Sequence, residues 1–523
     1  MQMIQRSTEQ KIHTQKKPKQ GLSYTTVWRW HFYAGLFCIP FILWLSLTGL
    51  IYLFKPQIDE WIDRPYNNLV IHQAKSPSVQ VNAALKAVPN SIFSAVELGP
   101  NEHSATRVLV AKNAEVYKVY IHPESLEILK IINQDDQFTR QVFHLHGELM
   151  LGDNGSRVVE IAASWTIIMI VTGIYLWLGK GGKLSFGGMV YPRLNRKGRA
   201  FWKDIHAVTG FWIAFFTIFL LISGLPWTAS WGGMLKNIRQ WSAPTIVQQD
   251  WTTSSKEESH HQKQKFDQAV KHMQSEHHHM MVSQSTRLNV EQAHILDDLI
   301  SKVDTFKLQP PIQIQPSGAM AGTWSISSQT QNRPLRETFI FDEHGNVIKH
   351  ETFANKLLLD RLIGYGVAIH EGQMFGLLNL MIGVFTVIAL ILVSISGLLM
   401  WIKRKPQHEL GAPPISLPYR LSVSFKVLIM IIGIILPLLG LTLIVVLLLE
   451  IAPEDFDVCP VLLTQPEKDR WTPLDLSTPF LSRIHKVPVK TVILQNAGHY
   501  PLEQPGLSEM VNAIDSFYST TVK

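Results

Sequence analysis

Trp202-Lys203-Asp204-Ile205-His206-Ala207-Val208-Thr209-Gly210 opens an apolar run that reaches Ser223-Gly224 without another charged residue. The same layout stands earlier in the chain, where Trp28, His31 and Gly35 begin a run that ends at Thr48-Gly49. His206 precedes Gly224 by 18 residues, and His31 precedes Gly49 by 18. A second kind of segment also occurs twice. His146 lies 27 residues before Gly173, in Thr172-Gly173, and His370 lies 27 before Gly397, in Ser396-Gly397. His146-Gly147-Glu148-Leu149-Met150-Leu151-Gly152 and His370-Glu371-Gly372-Gln373-Met374-Phe375-Gly376 share the pattern H-x-x-x-M-x-G. Two helices, each with its own histidine and glycine spacing, are written twice. That is the pattern of a duplicated membrane bundle holding metal cofactors between facing helices.

Of the 523 residues, five runs are apolar and essentially uncharged: 32–54, 158–178, 207–229, 377–402 and 425–449. Each has about 20 residues or more, enough to span roughly 30 Å of hydrocarbon. A buried soluble helix of that length would carry a polar stripe. The mean hydropathy of +0.08 is low for a bare bundle and fits one with large polar insertions. The first run is not a cleaved signal peptide, because it is too long and lacks a small-residue cleavage site.

The expected fold is an integral membrane all-α bundle with a duplicated four-helix core, a fifth transmembrane helix and two α+β domains on the outer side. The expected order is a cytoplasmic segment 1–30, helix 31–54, outer domain 55–143, helix 144–178, cytoplasmic loop 179–204 and helix 205–229. Then come outer domain 230–369, helix 370–402, cytoplasmic loop 403–424, helix 425–450 and an outer tail 451–523. Lys and Arg set this orientation: Lys11, Lys16, Lys17, Lys19 and Arg29 before the first helix, seven in 179–204, and Lys403, Arg404, Lys405, Arg420 and Lys426 near the last loop. The net charge of +7 therefore reads as membrane topology, with the lipid bilayer as partner and no nucleic acid. The expected location is a bacterial inner membrane, crossed several times, with the N-terminus cytoplasmic and the large domains periplasmic. The two cysteines, Cys38 and Cys459, imply no disulfide framework, and no C-x-x-C-H attaches a c-type haem.

Two repeats of like orientation are related by a pseudo-twofold axis along the membrane normal. That axis sets His31 across from His206 at the inner edge and His146 across from His370 at the outer edge. An 18-residue helical step covers about 27 Å, so Gly49 and Gly224 fall near the outer pair, and Gly173 and Gly397 near the inner one. A glycine leaves no side chain at the helix surface and lets a flat macrocycle approach. Imidazole is an axial ligand of haem iron, and bundle interiors hold such cofactors, so two b-type haems with these four histidines as iron ligands are expected. Zinc competes, but its sites take three or four ligands at one point. His144 would point about 200° from His146 on a helix and has no counterpart in the second repeat. It is expected as a reserve ligand or a polar contact to substrate or propionate. Arg29, Lys203 and Arg199 inside, and Arg140 or Arg361 outside, are candidate propionate partners.

Together the W-x-x-H-x-x-x-G of Trp28–Gly35, the H-x-H-G-E of His144–Glu148, the W-x-D-x-H-x-x-x-G of Trp202–Gly210 and the glycine-rich stretch His370–Gly376 resemble the PepSY-associated transmembrane family, including inner-membrane ferric-siderophore reductases. The resemblance covers roughly residues 22–405, and the two outer insertions look like PepSY modules. It implies an oxidoreductase that passes electrons across the membrane through b haems to a ferric siderophore or other ferric chelate in the periplasm. Reduction weakens the chelate, because siderophores hold ferric iron far better than ferrous iron. The glycine-rich Gly179–Gly188 follows no strand and is a poor nucleotide fingerprint, so the expected donor is a quinol or a separate cytoplasmic reductase.

The stretch 250–285 is rich in Gln, Ser, Lys and His, with His277-His278-His279-Met280-Met281 at its end. It reads as a solvated loop, or as a soft-metal contact that would favour reduction of copper or another metal. A non-enzymatic regulator or transport subunit is the alternative of a different class. After the fifth run, Val487–Gly498 reads as a strand and turn followed by a helix through Phe517. This tail resembles the last strand, histidine loop and final helix of an α/β-hydrolase, with His499 at the histidine position. The chain has no G-x-S-x-G, and about 60 residues cannot build the sheet that holds a triad. A fusion remnant or small appendage is expected, and no catalysis by His499.

Overall fold

A computed structural model describes residues 24–113, 115–178, 186–242, 287–317, 322–406, 410–413, 423–451, 460–481, 484 and 487–521. The histidine- and methionine-rich stretch at 260–281, Cys459 and the basic residues 11–19 lie outside the described residues.

Four helices among the described residues are long and apolar enough to cross a membrane: Tyr24–Leu53, Gly152–Leu178, Gly198–Trp227 and Gly376–Ile402. In chain order the helices of this first unit are α1 (Tyr24–Leu53), α2 (Lys55–Asp63), α3 (Pro77–Ala87), α4 (Phe138–Glu148), α5 (Gly152–Leu178), α6 (Gly198–Gly224, continued by a 3-10 turn to Trp227), α7 (Ala229–Ser242), α8 (Val290–Lys302), α9 (Leu358–His370) and α10 (Gly376–Ile402). Helix α1 packs on α5 and α10, and α6 packs on α10 and α5, so α1 and α6 lie on one diagonal of a four-helix bundle.

Two of the expected spans are shorter than the sequence suggested. The segments 144–178 and 370–402 are not continuous helices. Helix α4 stops at Glu148, where Leu149 and Met150 take φ of 50° and 58°, and α5 restarts at Gly152 with φ 57°. Helix α9 stops at His370, Gly372 takes φ 74°, and α10 restarts at Gly376, again with φ 57°. The glycine that closes H-x-x-x-M-x-G thus occupies the same left-handed conformation in both repeats, one that a Cβ disfavours. His146 and His370 ride on short helices just outside the spans.

The two insertions do not make two domains. Their strands β1 (Ile92–Glu97), β2 (Thr106–Lys112), β3 (Glu115–Ile121), β4 (Ile128–Asn133), β5 (Ile312–Pro316), β6 (Trp324–Ser328), β7 (Glu337–Phe341) and β8 (Val347–Thr352) form one antiparallel sheet of order β4-β3-β2-β1-β5-β6-β7-β8. At its centre β1 meets β5 antiparallel, Val96 opposite Ile314 and Glu97 opposite Gln313. An antiparallel pairing of equivalent strands is what a twofold between the repeats produces. One core serves both halves: Val81 and Leu85 of α3, Leu296 and Leu299 of α8, and Val96, Val108, Ile314 and Ile326 of the strands. Each half-sheet has two edges, and joining them buries one edge of each. Asp297 of α8 accepts hydrogen bonds from the Ser78 backbone N–H and hydroxyl at the start of α3, at 2.8 and 2.7 Å.

The expected fifth span is interrupted. Helix α11 (Val423–Ile435) has 13 residues and α12 (Pro437–Ile451) has 15. Proline lacks the N–H that would continue the helix, and it pushes the preceding residue out of the α region.

The second unit holds most of the chain after Leu439. Strands β9 (Val461–Pro466) and β10 (Val489–Leu494) pair in parallel, with α13 (Leu474–Leu481) between them in sequence and α14 (Gly506–Thr521) after them. The strand read at 487–498 thus has one partner, which the mixed apolar and polar residues at 461–466 did not announce. His499 Nδ1 lies 3.1 Å from both carboxylate oxygens of Asp469.

Candidate functional site

Each of the four histidines is seated by the small-residue step of a neighbouring helix. At the end of the bundle away from the sheet, His31 Nδ1 lies 3.0 Å from the Met169 carbonyl and 3.1 Å from the Thr172 hydroxyl. His206 Nδ1 lies 2.9 Å from the Val393 carbonyl and 3.2 Å from the Ser396 hydroxyl. At the sheet end, His146 Nδ1 lies 3.0 Å from the Thr48 hydroxyl, and His370 Nδ1 lies 2.9 Å from the Ser223 hydroxyl. The carbonyls of Leu45 and Leu220 complete these two seats.

A carbonyl oxygen only accepts, so Nδ1 of His31 and of His206 carries the proton. The hydroxyls agree. Thr172, Thr48 and Ser223 donate to the carbonyls of Ile168, Trp44 and Phe219 one turn back, and Ser396 donates to Val393, leaving each hydroxyl oxygen to accept from Nδ1. The tautomer is therefore the one whose Nε2 lone pair is free. Among the described residues, none of the four Nε2 atoms makes a hydrogen bond. Burial pushes the pKa of His146 down to about 4. Burial first, and then the neighbouring His146, does the same to His370. Both are neutral imidazoles, the form that binds metals.

The glycines act on the imidazoles themselves. A Cβ on Gly173 would stand 3.1 Å from His31 Cε1, one on Gly49 3.1 Å from His146 Cε1, one on Gly397 3.3 Å from His206 Cε1, and one on Gly224 3.6 Å from His370 Cε1. In the structure each glycine leaves room for the imidazole ring packed against it.

His31 and His206 face each other across the bundle diagonal with ring centres 6.3 Å apart and planes at 82°. Two imidazoles sharing one metal, each nitrogen about 2 Å from the ion and about 1 Å from its own ring centre, put the ring centres about 6 Å apart. The separation of the His31 and His206 ring centres is of that size. Among the described residues no three His, Cys, Asp or Glu side chains come together as a metal site.

His144 is not part of this arrangement. Its Nδ1 lies 3.3 Å from Glu148 and its Nε2 lies 3.8 Å from Asp135. Asp135 foremost, then Glu148, push its pKa up to about 9. These contacts set His144 beside the acids of its own helix and of the turn before it, apart from the seats of the other four histidines.

Of the expected propionate partners, Arg29 donates to the Pro413 carbonyl at 2.9 Å. Arg361 sits nine residues before His370 on α9, about 13 Å along its axis. Arg404, which sequence reasoning did not single out, stacks at 4.9 Å over Trp28 and 5.0 Å over Phe32, one residue from His31. The aspartate of W-x-D-x-H, Asp204, takes a two-pronged ion pair from Arg193 at 2.7 and 2.9 Å and so fixes the loop before α6. The hydroxyls of Thr48, Thr172, Ser223 and Ser396 were visible only as small residues beside glycine; their spacing from the histidines was the signal for their role.

A family model described as the PepSY-associated TM region matches residues 28–404, more than half of the chain. No curated protein matches it.

Proposed function

Because the chain belongs to the family defined by the PepSY-associated TM region, we propose that it is a membrane oxidoreductase carrying two b-type haems, one on His31 and His206 and one on His146 and His370. Its substrate is a ferric chelate, ferric siderophores included, reduced on the side of the membrane where the sheet lies. One electron is taken from a quinol or a separate cytoplasmic reductase and given to the ferric ion, which leaves the weakened chelate as ferrous iron. In this reading the basic loops lie on the cytoplasmic side of a bacterial inner membrane and the sheet on its periplasmic side, as an excess of Lys and Arg in the loops favours.

The observation that carries this reading is the shared tautomer: four half-buried histidines, in two pairs at opposite ends of four membrane-length helices, each with Nδ1–H held by a threonine or serine hydroxyl oxygen and Nε2 free. When bound, haem supplies reversible one-electron chemistry at iron. The protein's own part is to hold the imidazoles in one tautomer and orientation. Hydrogen bonds to Nδ1–H raise the basicity of Nε2 and so tune the ligand strength. The glycine seats keep the rings from swinging, and the apolar spans keep water away from the sites.

The test is direct. Purified protein reduced with dithionite, freed of excess reductant and mixed anaerobically with a ferric hydroxamate should be reoxidised, with ferrous iron appearing in a colour-forming trap. A reduced protein that the chelate leaves reduced contradicts the proposal.

A further inference from the structure

At the sheet end, the loop between β6 and β7 lies beside the loop that follows His370. The Asn332 amide donates to the Gln373 carbonyl at 3.3 Å, which stitches the two together. Arg333 lies 5.6 Å over the ring of Trp227, and Trp227 stands 6.5 Å from the His370 ring. The Arg336 Nε–H donates to the Thr330 carbonyl at 2.6 Å, which brings its guanidinium against the Thr330–Gln331 peptide. Burial, and then Arg333, bring its pKa down to about 10, so the two guanidinium groups feel each other. Both Gln331 amide atoms and Asn332 Oδ1 are buried without a hydrogen-bond partner. A guanidinium has five N–H donors, and a side-chain amide left unpaired in the interior is costly.

The acids around this roof are Glu371, which faces Arg333 and Arg336, Asp59, paired with Lys55, and Asp135, paired with Arg140. The half-buried guanidinium of Arg336, with an unspent amide beside it, matches a carboxylate, which accepts in the plane of an arginine fork.

We propose that Arg336 and Gln331, with Arg333 over Trp227, form a carboxylate-binding site above the His146–His370 pair. The site takes either the carboxylate arms of a macrocycle held by that pair or those of an anionic ferric chelate arriving from the sheet side. The second source deepens the function proposed above and rests on it; the existence of the site does not.

Citrate, free and as its ferric complex, is the probe, titrated by calorimetry against the full-length protein in detergent. If the chelate is the source, wild type binds citrate, Arg336→Gln weakens it by about tenfold or more, and haem content does not change. If the macrocycle is the source, haem-loaded wild type ignores citrate while Arg336→Gln loses haem faster. Haem dimethyl ester, which has no free carboxylate, then gains nothing from Arg336 on reconstitution. Arg336→Lys, which keeps the charge, and Gln331→Leu, which removes only the amide, separate the role from folding; intermediate losses are expected in both. The site is refuted if Arg336→Gln and Arg333→Gln change neither citrate affinity nor haem retention. A chain that carries no haem yet binds citrate through Arg336 would sink the reductase and leave this site standing.

Discussion

A hydroxyl that donates its proton to its own helix has only lone pairs left for a neighbour, and that decides the chemistry of the four histidines. Thr172 and Ser396 fix His31 and His206 with Nδ1 protonated, and Thr48 and Ser223 do the same for His146 and His370. Thr172→Val keeps the shape and the Met169 carbonyl but removes one acceptor. Cofactor affinity at that seat should fall by about tenfold, read as faster haem transfer to an apo-globin trap; an unchanged transfer rate would deny the hydroxyl its part. The glycines give a graded test. Gly173 sits where a Cβ meets His31 at 3.1 Å, whereas the corresponding contact at Gly224 is an ordinary 3.6 Å. Gly173→Val should lose one of two haems and Gly224→Ala neither, by pyridine haemochrome assay; equal effects would mean the glycines serve packing alone. The T/S-G steps and their spacing were legible from the sequence. The direction of each hydroxyl was not, because it depends on which helix lies alongside.

Among the elements, helix ends depart most from expectation. Apolar periodicity marks the spans but is blind to the turn at 149–151 or at 371–375, where left-handed residues stop one helix and aim the next. The sheet hides a different feature, a buried ion pair. Lys118 of β3 lies 3.0 Å from Glu97 of β1, with side chains 11% and 13% exposed. Burial pushes the Glu97 pKa up, but Lys118 and Arg107 outweigh it and hold the carboxyl below its ordinary 4.5. A depressed carboxylate contributes stability above its unfolded pKa and loses it as pH falls through the folded one. In the full-length protein in detergent, the resistance of the sheet to urea should therefore fall below pH 4.5. Glu97→Gln should remove that dependence and cost about 3 kcal/mol at pH 7 by stranding Lys118. The double change with Lys118→Met should recover most of it. A Glu97→Gln chain that keeps the full acid sensitivity would assign it to other groups.

At the scale of the whole molecule, duplication is the organising fact, and the sequence displayed it through histidine and glycine spacing long before any sheet was visible. What it could not display is that the two insertions merge. Strand pairing between segments more than 200 residues apart leaves no local pattern, and β1 reads the same whether its neighbour is β2 alone or β2 and β5. Val96 and Ile314 are Cα partners across that junction. Val96→Cys with Ile314→Cys should oxidise to a crosslink within one chain, seen as faster migration on a non-reducing gel. Dimers, or no crosslink, would separate the halves again. The central claim is that the two histidine pairs each hold a haem, and one measurement addresses it without assuming donor or substrate. Protein expressed with ample haem and purified in detergent is analysed by reduced-minus-oxidised spectrum and pyridine haemochrome. Two low-spin b haems per chain are predicted, falling to one in His31→Ala and to one in His146→Ala. A chain that purifies folded and without haem contradicts the account.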